Sequence, residues 1–224
     1  MRRKHNSEGG SMPRQAIQAY ATAIQVPYLL HFTRAVNLPT IMAHGLYPIG
    51  RAHEVGAAPA INDQYRFDGH RSSTSVSIGF PNCQMLYKYR MANAAVDWSI
   101  LVLHPSILWT KNCAFCRHNA ADGRISGQPL ANLMTPQAFQ GMYEEIEGLT
   151  TREEQKLKPY DPTDVQAEVL VFDIIEPQYV AGIIFEKSAV RDAYLPHLVE
   201  RKTYIHADNK GMFANRKYAR TWGN

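Results

Sequence analysis

The sequence predicts an α+β domain, and three observations carry that expectation. Short apolar, β-branched runs of strand length recur along the chain: Tyr28–Phe32, Ser73–Phe80, Trp98–Leu103, Val169–Phe172 and Val180–Phe185. Stretches of helical spacing fall between them irregularly, without the strict strand–helix alternation of a doubly wound parallel sheet. Finally, the chain contains no G-x-G-x-x-G, Walker A, H-E-x-x-H or G-x-S-x-G motif. This removes the usual dinucleotide fold, P-loop enzymes, zincins and nucleophile-elbow hydrolases.

The chain has 224 residues, 45% hydrophobic and 20% charged, enough for one sizeable globular domain. Residues 1–12 read as a polar, disordered leader, and 13–224 as a single domain with a basic C-terminal tail. No apolar run approaches the roughly 18 to 20 residues of a membrane span, and no apolar stretch follows the basic start, so no secretory signal is read. Net charge is +4, a mild excess compatible with a polyanionic partner. Three cysteines, Cys83, Cys113 and Cys116, suit a reducing cytoplasm better than a disulfide framework. Cys113 and Cys116 form a CxxC with His118 nearby, but no second pair follows at zinc spacing. The expectation is buried structural thiols and no metal.

In chain order, Pro13–Gln25 carries Ala and Ile at helical spacing and stops before Pro27. The strand Tyr28–Phe32 follows. Thr33 suits an N-cap for a helix from Val36 to His44, closed by Gly45. His31 stands where that strand gives way to the loop, either as a satisfied structural histidine or as a site residue. Residues 48–74 lack periodicity, and a loop of that length is functional or disordered. Within it Arg66 suits phosphate recognition through its planar fork, or else an ion pair with Asp63 or Asp68.

Ser73–Phe80 alternates Ser and Thr with Val and Ile, the period of a half-buried strand. Met85–Met91 reads as a helix with Lys88 and Arg90 on a basic face. Trp98–Leu103 is an apolar strand, and residues 111–133 yield no firm element. Thr135-Pro136 opens a helix expected to reach Glu147. After Pro159-Tyr160-Asp161-Pro162, a rigid connector, come the strand from Val169, the strand Val180–Phe185, a helix Val190–Glu200 and a last strand Thr203–Ile205. In the tail, Lys210, Arg216, Lys217 and Arg220 interleave with Phe213, Tyr218 and Trp222. That is the composition of a single-stranded nucleic-acid groove or of a solvated tail.

The stretch Asp164-Val165-Gln166-Ala167-Glu168-Val169-Leu170-Val171-Phe172 organises the rest. Glu168 enters a buried strand. A carboxylate there is costly unless it is paired at the wet end or used by a site. Gln166, two residues earlier, would share its face, so that both side chains look into one cleft.

Taken together, Leu30-His31-Phe32-Thr33, then Asn62-Asp63-x-x-Arg66-x-Asp68-Gly69 with Ser75-Val76-Ser77-Ile78-Gly79-Phe80-Pro81-Asn82, then Gln166-Ala167-Glu168, resemble the DarT-type ADP-ribosyltransferase toxins. Cys113-Ala114-Phe115-Cys116-x-x-Asn119-Ala120-Ala121 resembles one branch of that family. The resemblance runs from about Tyr28 to Phe185. It implies an ADP-ribosyltransferase-like split mixed β-sheet with flanking helices, and NAD as the donor substrate. ADP-ribose would pass to a base of single-stranded DNA with release of nicotinamide; the alternatives are the same chemistry on RNA bases, or a non-catalytic nucleic-acid-binding module that kept the fold.

By the same resemblance His31 would bond the NAD ribose with Thr33 and Asn37 beside it. Arg66 would reach the pyrophosphate and assist catalysis, and Phe80 would lie under the nicotinamide. Glu168 would be the catalytic glutamate, Gln166 would read the acceptor, and residues 148–165 would form the substrate loop. A carboxylate fixed beside an oxocarbenium-like ribose stabilises the transition state more than the ground state, and it could take a proton from a base amine. An amide at 166 can both donate and accept to a base edge. The resemblance further implies a toxin of a toxin–antitoxin system acting in phage defence, neutralised by an antitoxin such as a macrodomain.

Overall fold

The computed structural model describes residues 11–56, 60, 71–207 and 210–222. Seven strands form one sheet in the order β4-β5-β2-β1-β3-β6-β7. They are β1 (Leu29–Arg34), β2 (Thr74–Ile78), β3 (Trp98–Leu103), β4 (Cys113–Cys116), β5 (Glu168–Val171), β6 (Val180–Phe185) and β7 (Lys202–Ile205). All neighbours are antiparallel except β6 and β7, so the sheet is mixed. Around it lie helices α1 (Ser11–Ala23), α2 (Leu38–His44), α3 (Cys83–Ala92), α4 (Ile107–Thr110), α5 (Gly123–Ser126), α6 (Leu130–Leu133), α7 (Pro136–Gly141), α8 (Ser188–Tyr194) and α9 (Arg216–Trp222). Among the described residues no helix is long and apolar enough to cross a membrane.

The alternation of each strand decides what covers it. On one face Leu29, Val76, Ile78, Leu101, Val169 and Phe185 join a single core with apolar residues of α1, α2, α4, α7 and α8. The other face carries two separate clusters. Leu30, Ile100 and Ile184 pack under α3 and the turn Gly211–Phe213, while Ala114, Cys116 and Leu170 pack under α5 and α6. Between those clusters runs β2, whose residues on this face are Ser75 and Ser77. The Ser/Val alternation thus makes β2 apolar toward the main core and polar toward a gap.

Several sequence expectations are corrected. Thr33 is a buried residue inside β1, and the helix that follows starts later, after a 3-10 turn at Ala35–Asn37. Gly45 does end it, with φ +93°, and a Cβ there would lie 2.6 Å from the Ile175 carbonyl oxygen, so glycine is required. Arg90 turns inward, 8% exposed, to bond the Phe213 carbonyl and pair with Glu186. Only Lys88 of the pair is exposed. The CxxC is strand β4, which the flanking turns of residues 111–133 hid. Its two sulfurs enter different clusters on opposite faces and do not converge. Both thiols are buried, and burial pushes that of Cys113 up to about 12. α7, capped by Thr135 as expected, stops at Gly141, short of Glu147.

The tail is neither loose nor a free basic strip. Arg216, 4% exposed, donates to the Pro162 and Thr163 carbonyls at 2.7 and 2.9 Å, and burial lowers its guanidinium to about 10. Arg220 grips the fully buried Asp161 through two bonds of 2.7 and 2.6 Å.

Candidate active site

The gap on the second face is where the sheet splits. β1 and β2 pair only at Leu29↔Ile78 and Leu30↔Ser77, then diverge. β1 stays paired with β3 as far as Arg34↔Trp98, and β2 with β5 as far as Thr74↔Val171. The backbone groups facing the gap need other partners. His31 supplies one: its Nδ1 donates to the Ser75 carbonyl at 2.8 Å, bridging the two half-sheets at the fork. That bond assigns the ring proton to Nδ1. A cleft of about 330 Å³ opens there, lined among others by His31, Thr33, Asn37, Ser75, Asn119 and Glu168.

Asn37 organises one wall. Its amide donates to Thr33 Oγ1 at 3.0 Å and to the Ala60 carbonyl at 3.2 Å, and its oxygen accepts the Ala60 N–H at 2.9 Å. One side chain therefore ties α2 to the strand behind it and to the chain entering residues 61–70. Arg66 belongs to that segment and lies outside the described residues, as do Asn62, Asp63, Asp68 and Gly69.

Glu168 stands on the opposite wall as the first residue of β5, 9% exposed. Its Oε1 accepts the Ala120 N–H at 2.6 Å. The local chain explains why that N–H is there. β4 and β5 pair so that Cys116 faces Glu168. The chain leaving β4 then turns at Asn119, whose Oδ1 accepts the Ala121 N–H at 3.0 Å and whose carbonyl accepts that of Asp122. The turn leaves the Ala120 N–H pointing at the carboxylate. Asp122 caps α5 and binds Arg124 through both oxygens, which holds its carboxyl well below the usual carboxylate range.

Of the sequence-derived site residues, the structure brings His31, Thr33, Asn37 and Glu168 into one cleft. It does not bring Gln166 or Phe80 to that lining. Gln166 precedes β5 in a turn, so the two-residue period that would align it with Glu168 does not apply. Its N–H instead bonds Asp164 Oδ1 at 2.8 Å. Phe80, 3% exposed, belongs to the core under α3 and lies beneath the Arg220 guanidinium at 5.2 Å.

The expected substrate loop is braced along its second half. Arg152 donates to the Asp161 carbonyl and Thr163 Oγ1 at 2.7 and 3.0 Å, and Arg216 and Arg220 hold it from α9. Sequence reasoning missed the Ala120 N–H, a backbone group with no residue-type signal, although Asn119-Ala120-Ala121 marked its place. It also missed Asn82 at the head of α3 and Tyr47, which line the cleft too.

A family model described as DarT, ssDNA thymidine ADP-ribosyltransferase, matches residues 30–213. Among solved structures, DarTG of Thermosipho africanus in complex with ADP-ribose superimposes with a TM-score of 0.54 at 14% identity, covering 80% of this chain and 50% of that one. This chain therefore spans half the length of that protein. DarT of Thermus sp. 2.9 in complex with ADP-ribosylated ssDNA gives 0.52 at 14% identity, over 81% and 94% of the two chains. Its complex with carba-NAD+ gives 0.52 at 12% identity, over 81% and 96%. No curated protein matches this sequence.

Proposed function

The chain belongs to the DarT family of single-stranded DNA thymidine ADP-ribosyltransferases, and from that premise we propose how its own residues carry the transfer. The reaction is NAD-dependent: ADP-ribose passes from NAD to single-stranded DNA. The observation that carries our assignment is a buried glutamate, Glu168, held by a backbone N–H on the wall of the same cleft that His31 spans at the fork of the sheet.

NAD occupies the split, with its ribose against His31 and Thr33. Asn37 sets the wall and the start of the segment that carries Arg66, whose guanidinium takes the pyrophosphate. Leaving of nicotinamide breaks the C–N bond to the ribose and develops positive charge on it, opposite Glu168. The Ala120 N–H fixes the orientation of that carboxylate, so it need not reorganise as charge develops. A thymine base has no exocyclic amine, so the proton Glu168 accepts comes from the ring imide as it attacks. Gln166, in the turn that leads into Glu168, contacts the acceptor. Phe80, out of the lining, supports the site from the neighbouring core.

The chain from residue 13 onward works as one domain, since its strands close a single sheet. We further infer a cytoplasmic toxin acting in phage defence and opposed by an antitoxin of macrodomain type. The likeness to DarTG of Thermosipho africanus, solved with ADP-ribose, favours that partner.

The test is mass spectrometry of matched single-stranded DNA and RNA oligonucleotides incubated with NAD and either the protein or Glu168→Gln. Thymidine-bearing DNA should gain one ADP-ribose, and the variant should be slower by about 10²-fold or more. Modification of RNA alone, or full activity in the variant, would overturn the reading.

A further inference from the structure

Gln166 and Glu168 are two residues apart, yet different contacts hold them, and one carboxylate connects those contacts. Asp164 Oδ1 accepts the Gln166 N–H at 2.8 Å, and the Asp164 carbonyl accepts that of Ala167 at 3.1 Å, which closes the turn. Asp164 Oδ2 lies 2.8 Å from His118 Nδ1. His118, 5% exposed, is two residues ahead of Ala120, whose N–H holds Glu168. A closed circuit results: Glu168 to Ala120, along the chain to His118, across to Asp164, and back to Gln166. Neither His118 nor Asp164 lines the cleft, so both act through other residues. A buried imidazole facing a carboxylate donates to it, which orients both groups.

We propose that His118 and Asp164 are positioning residues for the transfer, locking the acceptor-side turn to the loop that orients Glu168. This rests on the assignment of Glu168 and Gln166 above. The bonds that hold the pair run to the Gln166 turn, whereas those of His31 and Asn37 on β1 and the 3-10 turn after it run to Ser75, Thr33 and Ala60. Loss of the pair therefore shifts the acceptor relative to the reacting carbon while leaving NAD capture intact. Misplacement of about 1 Å at a reacting pair costs on the order of 10²-fold in rate.

The experiment measures NAD dissociation constants by calorimetry, and kcat and KM for a thymidine-bearing oligonucleotide, with a thermal melt for each variant. His118→Leu removes the donor, Asp164→Ala removes both acceptors, and His118→Asn keeps an N–H near the Nδ1 position. We expect His118→Leu and Asp164→Ala each to lose about 10²-fold in kcat/KM for DNA with NAD affinity within about threefold. His118→Asn should recover at least tenfold of that loss. The double variant should be no worse than the singles, as for residues acting as one unit. Parallel loss of NAD affinity, no advantage of Asn over Leu, additive losses or unchanged DNA modification would each overturn the proposal. A wild-type protein that leaves DNA unmodified would instead remove the catalytic reading beneath it.

Discussion

Single side chains here do work that their type alone does not announce. His31 is required at the fork because its ring replaces a ladder bond that the diverging strands cannot make. His31→Phe should keep the ring's bulk but lose the bond to Ser75 and the polar edge. A lost hydrogen bond of about 1 to 1.5 kcal/mol predicts a roughly tenfold weaker NAD affinity, measurable by calorimetry. His206 offers a pH test. Burial pushes its pKa below the ordinary value, and its Nδ1 accepts the Met212 N–H at 3.1 Å. Unfolded chains protonate this histidine near pH ~6.5, while the folded protein resists. Its stabilising contribution is therefore complete above that pH and is lost as pH falls toward the folded value. The melting temperature should drop as pH falls from about 7.5 to about 5.5, one unit either side of the ordinary value. His206→Asn, which keeps an acceptor that does not titrate, should flatten that part of the profile.

At the scale of elements, the short C-terminal helix matters more than its length suggests. α9 lies beyond the matched residues 30–213, yet it anchors the loop leading to Glu168 through Arg216 and Arg220. Asp161 is fully buried, and its Arg220 partner is 12% exposed at the side chain. Removing one partner of a buried pair strands the other, at a cost of about 3 kcal/mol or more. Arg220→Ala should accordingly lower the melting temperature by roughly 6 to 12 °C for a chain of this size. Calorimetric scanning checks it. Gly79 guards the same contact: its φ is +68°, and a Cβ would sit 2.7 Å from the Tyr160 ring. The apolar periods of β2, β3 and β6 made these strands readable in advance, because each buries at least one continuous face. β4 was not readable. Its Cys-Ala-Phe-Cys is buried on both faces, and four residues between turns carry too little period to recognise.

At the scale of the molecule, the sheet is two half-sheets joined at two residue pairs of β1 and β2 and by the shared core beneath. A ligand seated in the split contacts both halves and binds only where they are correctly apposed. NAD at 100 times its dissociation constant should stabilise the fold by about 2.7 kcal/mol, raising the melting temperature by roughly 5 to 11 °C. A thermal-shift titration tests this, and Glu168→Gln should retain most of the shift, since its role is with developing charge.

The sequence alone determined the α+β class, six of the seven strands and the carboxylate at the mouth of β5. Each of these is written in local periodicity or in a residue type out of keeping with its neighbours. Tertiary structure decided the rest. Arg90, Arg216 and Arg220 read as surface charge because nothing local shows that Glu186, the loop carbonyls and Asp161 await them from distant segments. Phe80 and Gln166 fell outside the cleft lining for the same reason. A core cluster captured one and an Asx-type turn the other, and both arise from contacts that only the folded chain brings together.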